Sequence, residues 1–108
     1  KMKSEFVDNL AISNVHQQEF RDPLVWKIDI FFTMKDQRFS LVLLDDDDER
    51  LKPWAVYHKT DQFCPFCQKK ELNKICLPLE KHVSAFFRQL IEFPNIRLEW
   101  LYLPYEER

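Results

Sequence analysis

His58, Cys64, Cys67, Cys76 and His82 lie within residues 58–82, a stretch that holds all three cysteines and two of the three histidines of the chain. Thiolate sulfur and imidazole nitrogen are the donors zinc prefers. Four of them converging make a closed tetrahedral site in which the ion is a structural staple. Two residues separate Cys64 from Cys67, so both sulfurs can converge on one ion from a single tight turn. A second pair must come from elsewhere. Cys76, in the loop, and His82, in the first turn of a following helix, supply it. The sequence therefore predicts a zinc site of Cys64, Cys67, Cys76 and His82, with His58 as the alternative fourth ligand. A competing reading takes the cysteines as ordinary thiols of a reduced protein and His82 as the border of an apolar helix stripe.

The same turn admits redox chemistry. Tyr57-His58-Lys59-Thr60 followed by Cys64-Pro65-Phe66-Cys67 resembles, locally, the active-site region of glutaredoxins. The resemblance implies a strand running into a helix N-terminus that lowers the first thiol's pKa, with Cys64 as nucleophile and Cys67 as resolving thiol. It departs from the pattern after Cys67, where Gln68 to Lys74 lack the apolar stripe that would bury a helix. Too little chain follows for the rest of a thioredoxin-like fold.

Other polar residues offer less. Asp45 to Asp48 and Glu49 form an acidic run without the alternate spacing and turn glycine of a calcium loop, and read as a solvated connection. His16 stands alone among glutamines, and no Ser or Thr sits in a nucleophile setting. The chain contains no glycine. Walker loops, dinucleotide fingerprints and nucleophile elbows all require it, so those enzyme classes are excluded. A net charge of −2 provides no footprint for a phosphate backbone, which disfavours nucleic acid as a partner.

The elements that must position the cluster follow from periodicity. Phe6, Val7, Leu10 and Ala11 fall at helical spacing, so residues 4–20 read as opening with a short helix, with a strand through Leu10 to Val15 as the alternative. From Leu24 the period becomes two. Trp26, Ile28, Ile30, Phe32 and Met34 share one face, and after the turn Lys35-Asp36-Gln37-Arg38 comes a second strand, Phe39 to Leu44. Trp54 to Tyr57 form a third strand. The loop from His58 to Pro78 is long enough to need something to hold it. Leu79, Val83, Phe86, Phe87, Leu90 and Ile91 then make the stripe of one main amphipathic helix over 79–93, with Pro94 as its stop and Asn95 as a left-handed cap. Ile96 to Leu103 alternate again as a last strand.

This predicts an α+β fold: a small two-layer domain, 1–108, with an antiparallel sheet of about four strands, one helix and a Cys-rich loop. The domain is either whole or excised from a longer protein. One helix covers one face of a sheet, which leaves Val25, Phe31, Val42, Leu44, Leu101 and Leu103 on the other. Apolar groups in that number are expected to bind a partner, unless the N-terminal segment packs over them. The odd cysteine count and the lack of an N-terminal apolar run point to a reducing compartment, cytoplasm or nucleus. No apolar run is long enough to span a membrane. The expected function is a non-catalytic intracellular protein–protein interaction domain, pairing with another protein or with itself and stiffened by zinc. No small-molecule substrate is expected. The alternative is a small thiol–disulfide protein.

Overall fold

The computed structural model describes residues 5–45 and 51–98. Its element order is α1 (Glu5–Asp8), β1 (Ser13–Arg21), β2 (Trp26–Met34), β3 (Gln37–Asp45), β4 (Leu51–His58), α2 (Leu77–Glu80) and α3 (Val83–Leu90). The four strands form one antiparallel sheet in the order β1-β2-β3-β4.

The period-two pattern of β2 becomes strict alternation of burial, with Trp26, Ile28, Ile30, Phe32 and Met34 all buried. Register carries this face across the sheet: Ile28 opposes Leu43, Ile30 opposes Leu41 and Phe32 opposes Phe39. The turn between them is shorter than the sequence suggests. Met34 pairs with Gln37, leaving only Lys35 and Asp36 in the connection, at φ 48° and 61°. A two-residue hairpin of this kind needs both central residues left-handed to match the sheet's twist. In a chain without glycine, Lys and Asp must adopt that conformation themselves.

More of residues 4–20 go to a strand than to a helix. Only Glu5–Asp8 is helical, and Ser13–Arg21 adds an edge strand, with an irregular register between Ser13 and His16 where Asn14 takes φ 53°. A second irregularity falls in β4, where Val42 pairs with Ala55 but Leu43 pairs with Pro53, so Trp54 bulges out and is 58% exposed.

The helical stripe is real, but the continuous helix over 79–93 is not. It breaks into α2 and α3 at Lys81 and His82, where His82 has φ −113° and ψ 21° and caps α3. Pro78 sits in the first turn of α2, where its missing N–H costs nothing. Leu79, Phe86, Phe87 and Leu90 are buried against the inner face of the sheet, with the Phe86 ring 5.7 Å from Phe32. Asn95 does not take a left-handed conformation; its side-chain amide donates instead to Val15 O at the sheet edge. Ile96 to Leu98 are not a strand. They are tied to β1 by Gln17, which donates to Arg97 O at 3.0 Å and accepts from Arg97 N at 2.7 Å. The rest of the expected last strand, with Leu101 and Leu103, lies outside the described residues.

Among the described residues the helices sit on one side of the sheet. Val7 of α1 joins the inner core, and Phe6 packs its ring against His82 and Phe66. Of residues 5–21, α1 therefore joins the inner core and β1 widens the sheet at its edge. The outer face of the sheet presents Val25, 41% exposed, with Phe31 and Leu44 half-buried and Val42 buried between strand neighbours.

Candidate metal centre

β4 and the loop that follows it build the centre together. Val56 and His58 share the inner face of β4, opposite Leu41 and Phe39. The loop then returns along the free edge of that strand. Asn73 N donates to His58 O, His58 N to Lys74 O, and Cys76 N to Val56 O, each at 2.9 Å. These bonds fix Cys76 beside His58.

The Cys64 to Cys67 segment is a tight turn closed by Gln68 N donating to Cys64 O at 2.8 Å and Cys64 N donating to Lys69 O at 3.0 Å. Gln68 is left-handed, with φ 62°, which lets the chain double back after Cys67. The result lifts backbone N–H groups toward sulfur. Phe66 N donates to Cys64 Sγ at 3.4 Å, while Cys67 and Cys76 accept from the backbone of Lys69 and Leu79. Each sulfur thus has an amide donor suited to a thiolate.

The donor atoms of His58, Cys64, Cys67 and Cys76 all lie within 4.8 Å of one another, and the three cysteines are free. Cys64 Sγ is 3.9 Å from Cys76 Sγ, and Cys67 Sγ is 3.3 Å from His58 Nε2. Tetrahedral zinc at ordinary bond lengths separates two sulfurs by about 3.8 Å and a sulfur from a nitrogen by about 3.6 Å. The four donors lie close enough together to hold one metal ion. Comparison with protein-family models, with curated proteins and with solved structures finds no match for this chain.

The geometry gathers the alternative fourth residue, His58, beside the three cysteines and leaves His82 outside the group. His82 caps α3 and stacks on Phe6, ring centroids 4.7 Å apart, outside the group of four. His58 is also prepared as a ligand. Its Nδ1 lies 2.8 Å from Lys74 O, a pure acceptor, so Nδ1 carries the proton and Nε2 presents its lone pair to the sulfurs. Strand parity carried this signal: if Val56 faces the core, so does His58.

Burial shapes the electrostatics. His58 is 2% exposed and Cys64 and Cys76 fully buried, while Cys67 is only half-buried. In the metal-free chain burial pushes the Cys76 thiol up to about 12, with its Cys64 and Cys67 neighbours adding to the rise. Burial raises Cys67 as well, and Cys64 adds to it. A divalent cation among the sulfurs reverses this preference, because its charge holds thiols as thiolates. Three thiolates on a divalent ion leave one excess negative charge. Residues 59–81 carry five lysines against three acids, a balance that favours it.

The glutaredoxin-like arrangement is not what surrounds Cys64. The segment after Cys67 is not helical, and the next helix begins at Leu77. His16 is not isolated either. It stacks on Phe31 at 5.0 Å, and its Nδ1 accepts from Arg38 Nη2 at 2.8 Å. Among the described residues no helix is long and apolar enough to cross a membrane.

Proposed function

We propose that this chain is a non-catalytic protein-interaction domain whose loop is stapled by one zinc ion on His58, Cys64, Cys67 and Cys76. The observation that carries the reading is the convergence of these four donors within 4.8 Å, with His58 held in the ligating tautomer. Two of the sulfurs are buried, the donor set is soft, and no carboxylate is among the four. This chemistry favours a closed structural site. The ion ties the returning loop to β4 and contributes folding energy without acting on a substrate. Free thiols in such a site suit a reducing compartment, inside the cell.

The binding surface is the outer face of the sheet. Val25, Phe31 and Leu44 are the apolar groups it offers. Asp29 Oδ1 and Ser40 Oγ, on the same face, are buried without a hydrogen-bond partner among the described residues. An unpaired buried polar atom costs about 1–3 kcal/mol. The occupant is another protein or a second copy of this chain.

Metal analysis decides the first half. Protein purified without added zinc should carry about one ion per chain, the stoichiometry of a single closed site. A content near zero sinks the reading. For the surface, Phe31→Asp with Leu44→Asp should keep the zinc and lose association in light scattering and partner capture. Unchanged association in that variant would remove the outer face from the proposal.

A further inference from the structure

The four donors are not equally sheltered. Cys64 and Cys76 have no exposed surface and His58 has almost none, while the half-buried Cys67 reaches the surface. It lines a depression of about 400 Å³, together with Phe66, Lys69, Ile75, Leu77 and Pro78. A solute approaching the centre from this depression therefore meets one sulfur before any other. The two sealed sulfurs lie within 4.8 Å of the exposed one, close enough to attack it once it has reacted. Metal-bound thiolate in a site with excess negative charge keeps nucleophilic character.

From this asymmetry we infer that Cys67 is a modification site, the sulfur through which hydrogen peroxide oxidises the centre and expels its metal. This rests on the zinc reading of the same residues. The Cys67 thiolate attacks one peroxide oxygen, the O–O bond breaks, and hydroxide leaves and is protonated to water. Cys67 is then a sulfenic acid. A buried thiolate, Cys64 or Cys76, attacks its sulfur and forms the S–S bond. The second hydroxide departs and takes up a proton as water. Two electrons pass from two sulfurs to the peroxide, and zinc keeps its oxidation state throughout. Because the disulfide removes two of four ligands, the ion is released.

The test uses the zinc-loaded chain, its metal content measured first. Hydrogen peroxide is added with a zinc-sensitive dye, and in parallel with a sulfenic-acid trap followed by peptide mapping. Zinc release in step with thiol loss is expected, with the trapped sulfenic acid on Cys67 and any disulfide containing Cys67. A loaded protein that keeps its zinc under peroxide overturns the inference, as does a trap adduct on Cys64 or Cys76. A Cys64–Cys76 disulfide with Cys67 left free overturns it too. A chain with no zinc before peroxide is added fails the underlying reading instead, and the two failures are told apart by that first measurement.

Discussion

At the scale of single residues, the two histidines near the cysteines carry different loads. His58 faces the sulfurs with its Nε2 and holds Lys74 O with its Nδ1, whereas His82 shares a stacked contact with Phe6. Replacing a first ligand should cost more than the roughly 10–100-fold in affinity lost when only an outer hydrogen-bond partner is removed. His58→Ala is thus expected to lose most of its zinc during dialysis, while His82→Ala retains one ion per chain. Metal content of the two variants, side by side, checks this. Titration of the sulfurs adds a second expectation with a definite sign. In the metal-free chain the folded Cys76 thiol is raised from 9.0 to about 12, chiefly by burial. The stability linked to that raised value is fully present below 9.0 and is lost as pH climbs toward about 12. In the loaded chain the sulfurs are thiolates, protons compete with the ion, and stability is lost as pH falls. Thermal melting across pH, with zinc and with chelator, should therefore shift in opposite directions. Parallel profiles would mean that the ion does not sit on these sulfurs.

Among the elements, the β2–β3 hairpin has the least latitude, and its turn is where the lack of glycine costs stability. Left-handed backbone is unfavourable for an L-residue by roughly 1–2 kcal/mol, and Lys35 and Asp36 both adopt it. Asp36→Gly should raise stability by up to about 1 kcal/mol, since Gly meets a positive φ without a Cβ penalty, a gain that its greater unfolded-state freedom partly offsets. Urea unfolding measures the change, and a loss of stability would show that the Asp36 side chain matters more than its backbone. The alternation from Trp26 to Met34 was legible in the sequence because one buried face imposes period two on every residue of the strand. The break at Lys81 and His82 was not. Leu79, Val83, Phe86 and Phe87 keep helical spacing straight through it, and spacing is blind to a local change in ψ. The site was legible to a similar extent. Cys64, Cys67 and Cys76 were legible from their types and spacing. The choice of His58 depended on loop residues 73–76 returning along β4, a contact that no local pattern encodes.

For the whole molecule, the question that the proposed zinc site raises is how much of the fold would depend on the ion. Small zinc modules unfold without metal because they have little core of their own. This chain is different, because Phe32, Phe39, Phe86, Phe87, Ile30 and Leu41 form a buried aromatic and aliphatic centre between the sheet and α3. Residues 59–76 are held differently, by backbone bonds to the edge of β4, by Phe66 packed on Phe39 and by the site itself, while Phe63 and Leu72 are exposed. Removing zinc should therefore open the loop and leave the sheet standing. In hydrogen exchange, amides of His58, Asn73 and Cys76 should lose protection on chelation, whereas those of Ile30 and Leu41 keep it. Melting temperature falls in the same experiment, because binding to the folded state alone stabilises it by mass action. Uniform loss of protection across β2 and β3 would instead make the ion a requirement for the entire fold. Protection of β2 and β3 that survives chelation leaves the outer face of the sheet formed without zinc. Partner binding through Phe31 and Leu44 should then persist in the metal-free chain at reduced stability, which separates the role of the staple from that of the surface.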